Sequence, residues 1–186
     1  FLCNGNLLFI RRVNKMKKIL IIPLLTTVFA FGQSFVPDAP ELDLKSYILI
    51  EPNTNTVIAE FNSTSEIEPA SMTKIMTAYV AADQISNELI AVDDEVLISE
   101  KAWRMEGSRM FIEAGKRVSV SDLLKGIIIQ SGNDASVAIA EYVVGTERGF
   151  VDLMNAYAGS LNMNNTNFQN STGLPAENHF SSAKDL

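Results

Sequence analysis

Apolar residues follow three different spacings along this chain. Residues 19–31 form an apolar run broken only by Pro23, Thr26 and Thr27. Further on, Tyr47-Ile48-Leu49-Ile50 and Val57-Ile58-Ala59-Glu60-Phe61 are β-rich stretches around the turn-forming Glu51-Pro52-Asn53-Thr54-Asn55, which predicts a β-hairpin. The period then becomes helical. Met72, Ile75, Met76, Tyr79 and Val80 share the spacing of a helix over residues 69–82. Residues 92–99 read as a short strand, and residues 104–115 as a loop with the apolar island Met110-Phe111-Ile112. A helix over 121–129, capped by Ser121 or Ser119, is broken by Ser131-Gly132-Asn133 and followed by a second helix over 134–144. Phe150, Leu153, Met154, Tyr157, Ala158 and Leu161 give residues 150–161 one apolar face. Residues 162–175 are rich in Asn, Thr, Gly and Pro and predict turns. The order is two strands followed mostly by helices, a mixed α+β chain.

The first apolar run belongs to a different kind of segment. It follows Met16-Lys17-Lys18, a short positive stretch, and ends at Ala30-Phe31-Gly32, which offers small residues for cleavage. That is the pattern of a secretory signal peptide over 16–32, and the run is shorter than the roughly 20 residues of a membrane-spanning helix. An uncleaved anchor is the alternative. Residues 1–15 then read as upstream of the true start, and 33–186 as the N-terminal portion of one exported domain. Residues 181–186 resemble the first turn of a helix with no stop signal, so the chain is expected to continue.

Charge narrows the range of functions. Five of the 15 basic residues lie in the first 32 positions, where there is no acid; residues 33–186 hold the other 10 against 22 acids, a balance of −12. A domain this acidic is a poor nucleic-acid binder, because phosphate binding needs a basic face, and no nucleic-acid partner is expected. With one cysteine, Cys3, and one histidine, His179, neither an internal disulfide framework nor a Cys/His zinc cluster is available.

A Ser-His-Asp triad would have to use His179, which stands in a loop and reads as plain surface. Lysine can replace histidine as a base. Ser71-Met72-Thr73-Lys74 sets a hydroxyl and an amine three residues apart, on one face of a helix. Ser181-Ser182-Ala183-Lys184 has the same spacing, but in a polar segment. From Pro69 to Ala82, Lys74 is the only charged residue, and its neighbours Thr77, Ala78 and Ala81 are small. A helix small or apolar all round is a buried one. Burial lowers a lysine's pKa towards the range in which it can accept a serine proton. The competing reading has Lys74 snorkelling to the surface and Ser71 as an ordinary helix cap. Ser131-Gly132-Asn133 could push a hydroxyl and an amide into a cleft, or could simply cap two helices.

Together these motifs resemble the serine-type D-Ala-D-Ala carboxypeptidases, the low-molecular-mass penicillin-binding proteins of peptidase family S11. The resemblance runs through Pro69-Ala70-Ser71-Met72-Thr73-Lys74-Ile75-Met76-Thr77-Ala78-Tyr79, Gly107-Ser108-Arg109-Met110-Phe111, residues 126–135 around Ser131-Gly132-Asn133, and Asn170-Ser171-Thr172-Gly173-Leu174-Pro175. The family shares Ser-x-x-Lys, Ser-x-Asn and Lys-Thr-Gly. No Lys-Thr-Gly occurs in this chain; the resemblance implies that it lies beyond Leu186.

The resemblance implies a serine β-lactamase/transpeptidase-like fold, an antiparallel sheet flanked by helices, incomplete in this chain. It implies Ser71 as nucleophile, Lys74 as base, Ser131 as proton relay, and Asn133 with Gly132 on the substrate side, Asn133 holding Lys74 or the substrate amide. The implied partner is the peptidoglycan stem peptide ending in D-Ala-D-Ala, with β-lactams as covalent inhibitors and no metal or cofactor. The implied location is the periplasm, at the outer face of the cytoplasmic membrane, with membrane association through a later segment. A D,D-endopeptidase of the same family, a class A β-lactamase and a non-catalytic muropeptide or β-lactam sensor are the alternatives. The β-lactamase needs a Glu-x-x-x-Asn after Asn133, and none occurs there.

Overall fold

A computed structural model describes residues 41–186; the signal segment and the cleavage site expected from the sequence lie outside the described residues. The hairpin forms as expected. Strand β1 (Tyr47–Glu51) pairs antiparallel with β2 (Thr56–Phe61), from Tyr47 opposite Phe61 to Glu51 opposite Thr56, with an irregularity between Leu49 and Ile50. The Glu51 carboxylate closes the turn by accepting from the backbone N–H groups of Asn53 and Thr54. Leu49, Ile50, Val57, Ile58 and Phe61 all remain exposed.

A short 3-10 turn (Ala70–Met72) leads directly into helix α1 (Thr73–Ser86). Strand β3 (Glu95–Leu97) is shorter than expected and pairs antiparallel with β4 (Arg117–Ser119). β4 carries too few residues to show a period of its own. Helix α2 (Glu100–Trp103) was not expected from periodicity either; its start is set by the Ser99 hydroxyl, which accepts from the Ala102 N–H. Helix α3 (Val120–Gln130) is capped by Ser119, whose hydroxyl accepts from the Asp122 N–H. It ends at Ser131, which adopts left-handed φ/ψ of 55° and 39°. Helix α4 (Asn133–Val144) follows at once and ends on Gly145 at φ 86°, a conformation that favours glycine. Helix α5 (Glu147–Ser160) begins earlier than its apolar stripe because Thr146 supplies the cap, accepting from the Gly149 N–H.

Helix α4 is the centre of the described residues. Every residue from Asn133 to Ala140 is buried, and α1, α2, α3 and α5 all pack against it. One side joins Val96, Ile98, Leu123, Ile127 and Ile139; the other joins Met76, Val80, Phe150, Met154 and Phe168. Side chains this fully enclosed contribute about 1.5–3 kcal/mol each by leaving water. No helix among the described residues is long and apolar enough to cross a membrane.

Contrary to what its composition predicts, helix α1 is not enclosed on every side. Met76, Val80 and Ala81 are buried, but Met72, Ile75 and Tyr79 on the other face are exposed, Ile75 by 56%. The small residues beside Lys74 create the enclosure on one face only.

Candidate active site

Ser71 sits in the 3-10 turn and Lys74 one turn later, in the first turn of α1. The entry to this helix is built without the usual aid. Neither the 3-10 turn nor α1 has a side-chain cap, so the Ser71 hydroxyl is not spent on one. Ala70, immediately before Ser71, holds φ of +47°, the left-handed region that costs a non-glycine residue about 1–2 kcal/mol. Such a turn persists only if its surroundings fix it.

The surroundings are residues 167–181. Gly173, at φ +82°, packs its α-carbon so closely on the turn that a Cβ there would lie 1.8 Å from the Ala70 carbonyl oxygen. The Thr172 carbonyl accepts from Lys74 Nζ at 2.6 Å, and the Ser171 carbonyl accepts from the Thr77 hydroxyl at 2.7 Å. Asn170 shapes this loop by accepting from the Thr172 and Gly173 N–H groups. Glu147 anchors it, accepting from the Ser171 N–H and hydroxyl while its other oxygen meets Lys101 Nζ at 2.6 Å. Burial pushes the Glu147 carboxyl up, but the hydrogen bonds from Lys101 and Ser171 outweigh it and the net shift is downward.

Replacing Gly173 by alanine should therefore damage the site. The Cβ would meet backbone, which cannot rotate away. We expect Gly173→Ala to lower the rate at which a penicillin acylates the full-length protein by on the order of 10²-fold through displacement of the Ser71 turn, together with a lower melting temperature. Wild-type acylation with an unchanged melt would show that the 70–72 turn does not depend on this contact.

Lys74 is 5% exposed, which excludes the snorkelling alternative. Burial lowers its pKa from 10.5 to about 8. Its Nζ lies 3.5 Å from Ser71 Oγ, a long contact that still places the amine beside the hydroxyl. Ser71, Lys74 and Ser131 line one cavity of about 230 Å³, walled by Ile75, Ala78, Ile127 and Ile128. Ser131 lines this cavity with its backbone in the left-handed region, at φ 55°.

Asn133 and Gly132 are not among the residues lining it. Asn133 is buried, and its side-chain amide donates to the Glu106 carbonyl at 2.6 Å. The Gly132 N–H donates to the Gly126 carbonyl. A Cβ on Gly132 would approach the Asp134 carboxylate to 2.9 Å, which gives this glycine a packing reason. The two residues thus organise the loop beside the cavity. Asp134 does the same and was not singled out in the sequence: its buried carboxylate accepts from the N–H groups of Met110, Phe111 and Ile112. This explains Gly107-Ser108-Arg109-Met110-Phe111 as a loop pinned to the start of α4.

His179 also departs from expectation. It is 5% exposed, not a surface residue, with Nε2 at 2.8 Å from Thr73 Oγ1. Ser181, in the second Ser-x-x-Lys, is fully buried and shares a hydrogen bond with Thr166. It is closed off from the cavity that Ser71 lines.

Residues 33–186 match the peptidase S11 family, described as D-alanyl-D-alanine carboxypeptidase. This chain belongs to that family. Among S11 relatives, D-alanyl-D-alanine carboxypeptidase DacC of Escherichia coli is 42% identical over 163 residues, covering 84% of this chain and 41% of the relative. DacF of Bacillus subtilis is 46% identical over 144 residues, covering 77% of this chain and 37% of the relative. The crystal structure of DacD from Francisella tularensis superposes with a TM-score of 0.78 at 41% identity, over 80% of this chain and 36% of that one. The chain thus spans less than half the length of these S11 proteins. The mixed helix-and-sheet architecture is that of the penicillin-binding fold, as the resemblance implied.

Proposed function

We propose that the protein containing this chain is a serine D-Ala-D-Ala carboxypeptidase acting on peptidoglycan stem peptides. The observation that carries the reading is one small cavity holding the Ser71 hydroxyl and a buried Lys74 amine whose pKa is lowered to about 8. Membership of the S11 family supports the same reaction.

In this reading Ser71 Oγ attacks the carbonyl of the penultimate D-Ala, and Lys74 Nζ accepts the hydroxyl proton. The tetrahedral intermediate collapses as the C–N bond breaks. Ser131 relays a proton to the leaving amine, and the last D-Ala departs. Water then attacks the Ser71 ester, returning the hydroxyl and releasing the shortened peptide. The backbone N–H of Ser71 is one donor to the oxyanion. β-Lactams acylate the same hydroxyl because their strained amide mimics the scissile bond. Asn133 acts on the substrate through the loop it holds. The positive Met16-Lys17-Lys18 and the apolar run after it support export, which places the enzyme where peptidoglycan lies.

The full-length protein should release D-Ala from a monomeric pentapeptide, and prior treatment with penicillin should abolish that release. Cleavage of a cross-linked dimer with no release from the monomer would favour the endopeptidase. Penicillin adduct without turnover of either substrate would favour a sensor.

A further inference from the structure

The entry to α1 has no side-chain cap and contains a left-handed alanine, so something outside the helix must hold Ser71 and Lys74 in register. Three of the contacts that do so involve backbone: Gly173 on Ala70, Thr172 on Lys74, and Ser171 on Thr77. The fourth is the only side-chain pair among them. His179 meets Thr73, which stands between Ser71 and Lys74 and is fully buried. A buried histidine that lines no catalytic cavity calls for a reason, because its ring nitrogens must both be satisfied.

The hydrogen bonds define which tautomer is present. The Gln169 backbone N–H donates to Nδ1 at 3.0 Å, so Nδ1 carries no proton. The proton is therefore on Nε2, which donates to Thr73 Oγ1 at 2.8 Å. The ring is held edge-on by Phe168, with centroids 6.0 Å apart. Burial keeps the imidazole neutral by lowering its pKa, against the pull of the Glu68 carboxylate, the charged group that bears on it. Protonation would also aim an N–H at the Gln169 N–H. Backbone pairing of Ile67 with Ser181 and of Asn167 with Phe180 fixes the segment on either side of the ring.

We propose that His179 is a positioning residue of the acylation reaction, a neutral imidazole whose Nε2–H holds Thr73 and thereby sets the turn that carries Ser71 and Lys74. The inference rests on the serine-acylation reading above. It gives the chain's single histidine a role outside proton transfer: the base is the lysine, and the histidine fixes where the lysine's helix begins.

Two substitutions separate this role from simple packing. Glutamine can set an amide N–H where Nε2–H stands, but it leaves the Gln169 N–H without its partner. Asparagine can accept from Gln169 but falls short of Thr73. The measurement is the second-order rate at which a fluorescent penicillin acylates Ser71 in the full-length protein, with melting temperature recorded for each variant. His179→Gln should stay within about tenfold of wild type, while His179→Asn and Thr73→Val should each lose on the order of 10²-fold, the scale of an ångström's misplacement. The His179→Asn/Thr73→Val double variant should be no slower than either single one, because both remove the same bond.

Wild-type acylation by His179→Asn, or a loss in His179→Gln as large as in His179→Asn, overturns the proposal. If neither histidine variant folds, Thr73 decides. Thr73→Ser keeps the hydroxyl and should acylate normally while Thr73→Val does not; equal rates in that pair overturn the proposal. A wild-type protein that takes no label overturns the serine-acylation reading itself, and this proposal with it, whereas a labelled wild type with any contrary pattern above overturns the role of His179 alone.

Discussion

Ser71→Ala in the full-length protein should leave no covalent adduct with a β-lactam, and D-Ala release should fall by on the order of 10⁴–10⁶-fold, the scale on which a serine hydrolase loses its nucleophile. The expectation follows from where the hydroxyls are. Ser71 Oγ lines the cavity, makes no capping bond, and has the Lys74 amine 3.5 Å away. The rival Ser-x-x-Lys ends at Lys184, but its Ser181 is enclosed, with its hydroxyl on Thr166 and its backbone paired to Ile67. Ser131 lines the cavity as well, so it is the one other hydroxyl of the motifs that an electrophile could reach. Peptide mapping by mass spectrometry after β-lactam treatment distinguishes the three. An adduct on Ser131 or Ser181, or one that survives Ser71→Ala, would make Ser71 a bystander and Lys74 a base without its partner.

The helices that carry these groups were legible because their signals are local. The 3.6-residue spacing of Ile75, Met76, Tyr79 and Val80 lies on α1, and Ser131-Gly132-Asn133 breaks α3 from α4 where expected. Lys74 as the only charge from Pro69 to Ala82 predicted its burial, though through an enclosure imagined on all sides. What could not be read was contributed from far along the chain. The carbonyl that receives Lys74 Nζ comes from Thr172, 98 residues away, and a backbone oxygen has no sequence signature. The partner of Thr73 is 106 residues away. A lone loop histidine looks the same in sequence whether it ends in solvent or against a helix. The same holds for Asp134: an acid at the start of a helix reads as a favourable dipole contact, while here it is the anchor of a separate loop.

Gly173 illustrates a partial signal. Thr172-Gly173-Leu174-Pro175 reads as a turn, and Gly173 does take a positive φ. The turn chemistry accounts for that dihedral, but not for the closeness of the approach to Ala70. That contact joins a segment read as a turn to the one read as a catalytic helix, and neither segment encodes it locally. The left-handed conformation of Ala70 is a consequence of this packing and has no cause in the local sequence, since alanine favours helix.

Lys74→Arg should retain a cation one turn from Ser71 and still lose acylation by about 10²–10⁴-fold, the usual contribution of a general base. Arginine cannot give up its proton at any working pH, so it has no lone pair with which to receive the serine hydrogen. The pH dependence of the wild type tests the same point without changing a residue. Burial lowers the Lys74 pKa to about 8, so the neutral amine is the minor form below that pH and the major form above it. Acylation should then rise roughly tenfold per pH unit on the acid side and level off above about 8, while an unperturbed lysine would keep the rate climbing towards 10.5. Rapid mixing with a labelled penicillin, from about two pH units below the Lys74 pKa up to 10.5, gives the profile. A rate that is flat below pH 8 as well as above it, together with near-normal acylation by Lys74→Arg, would mean that Lys74 contributes only its charge and that another group takes the proton from Ser71.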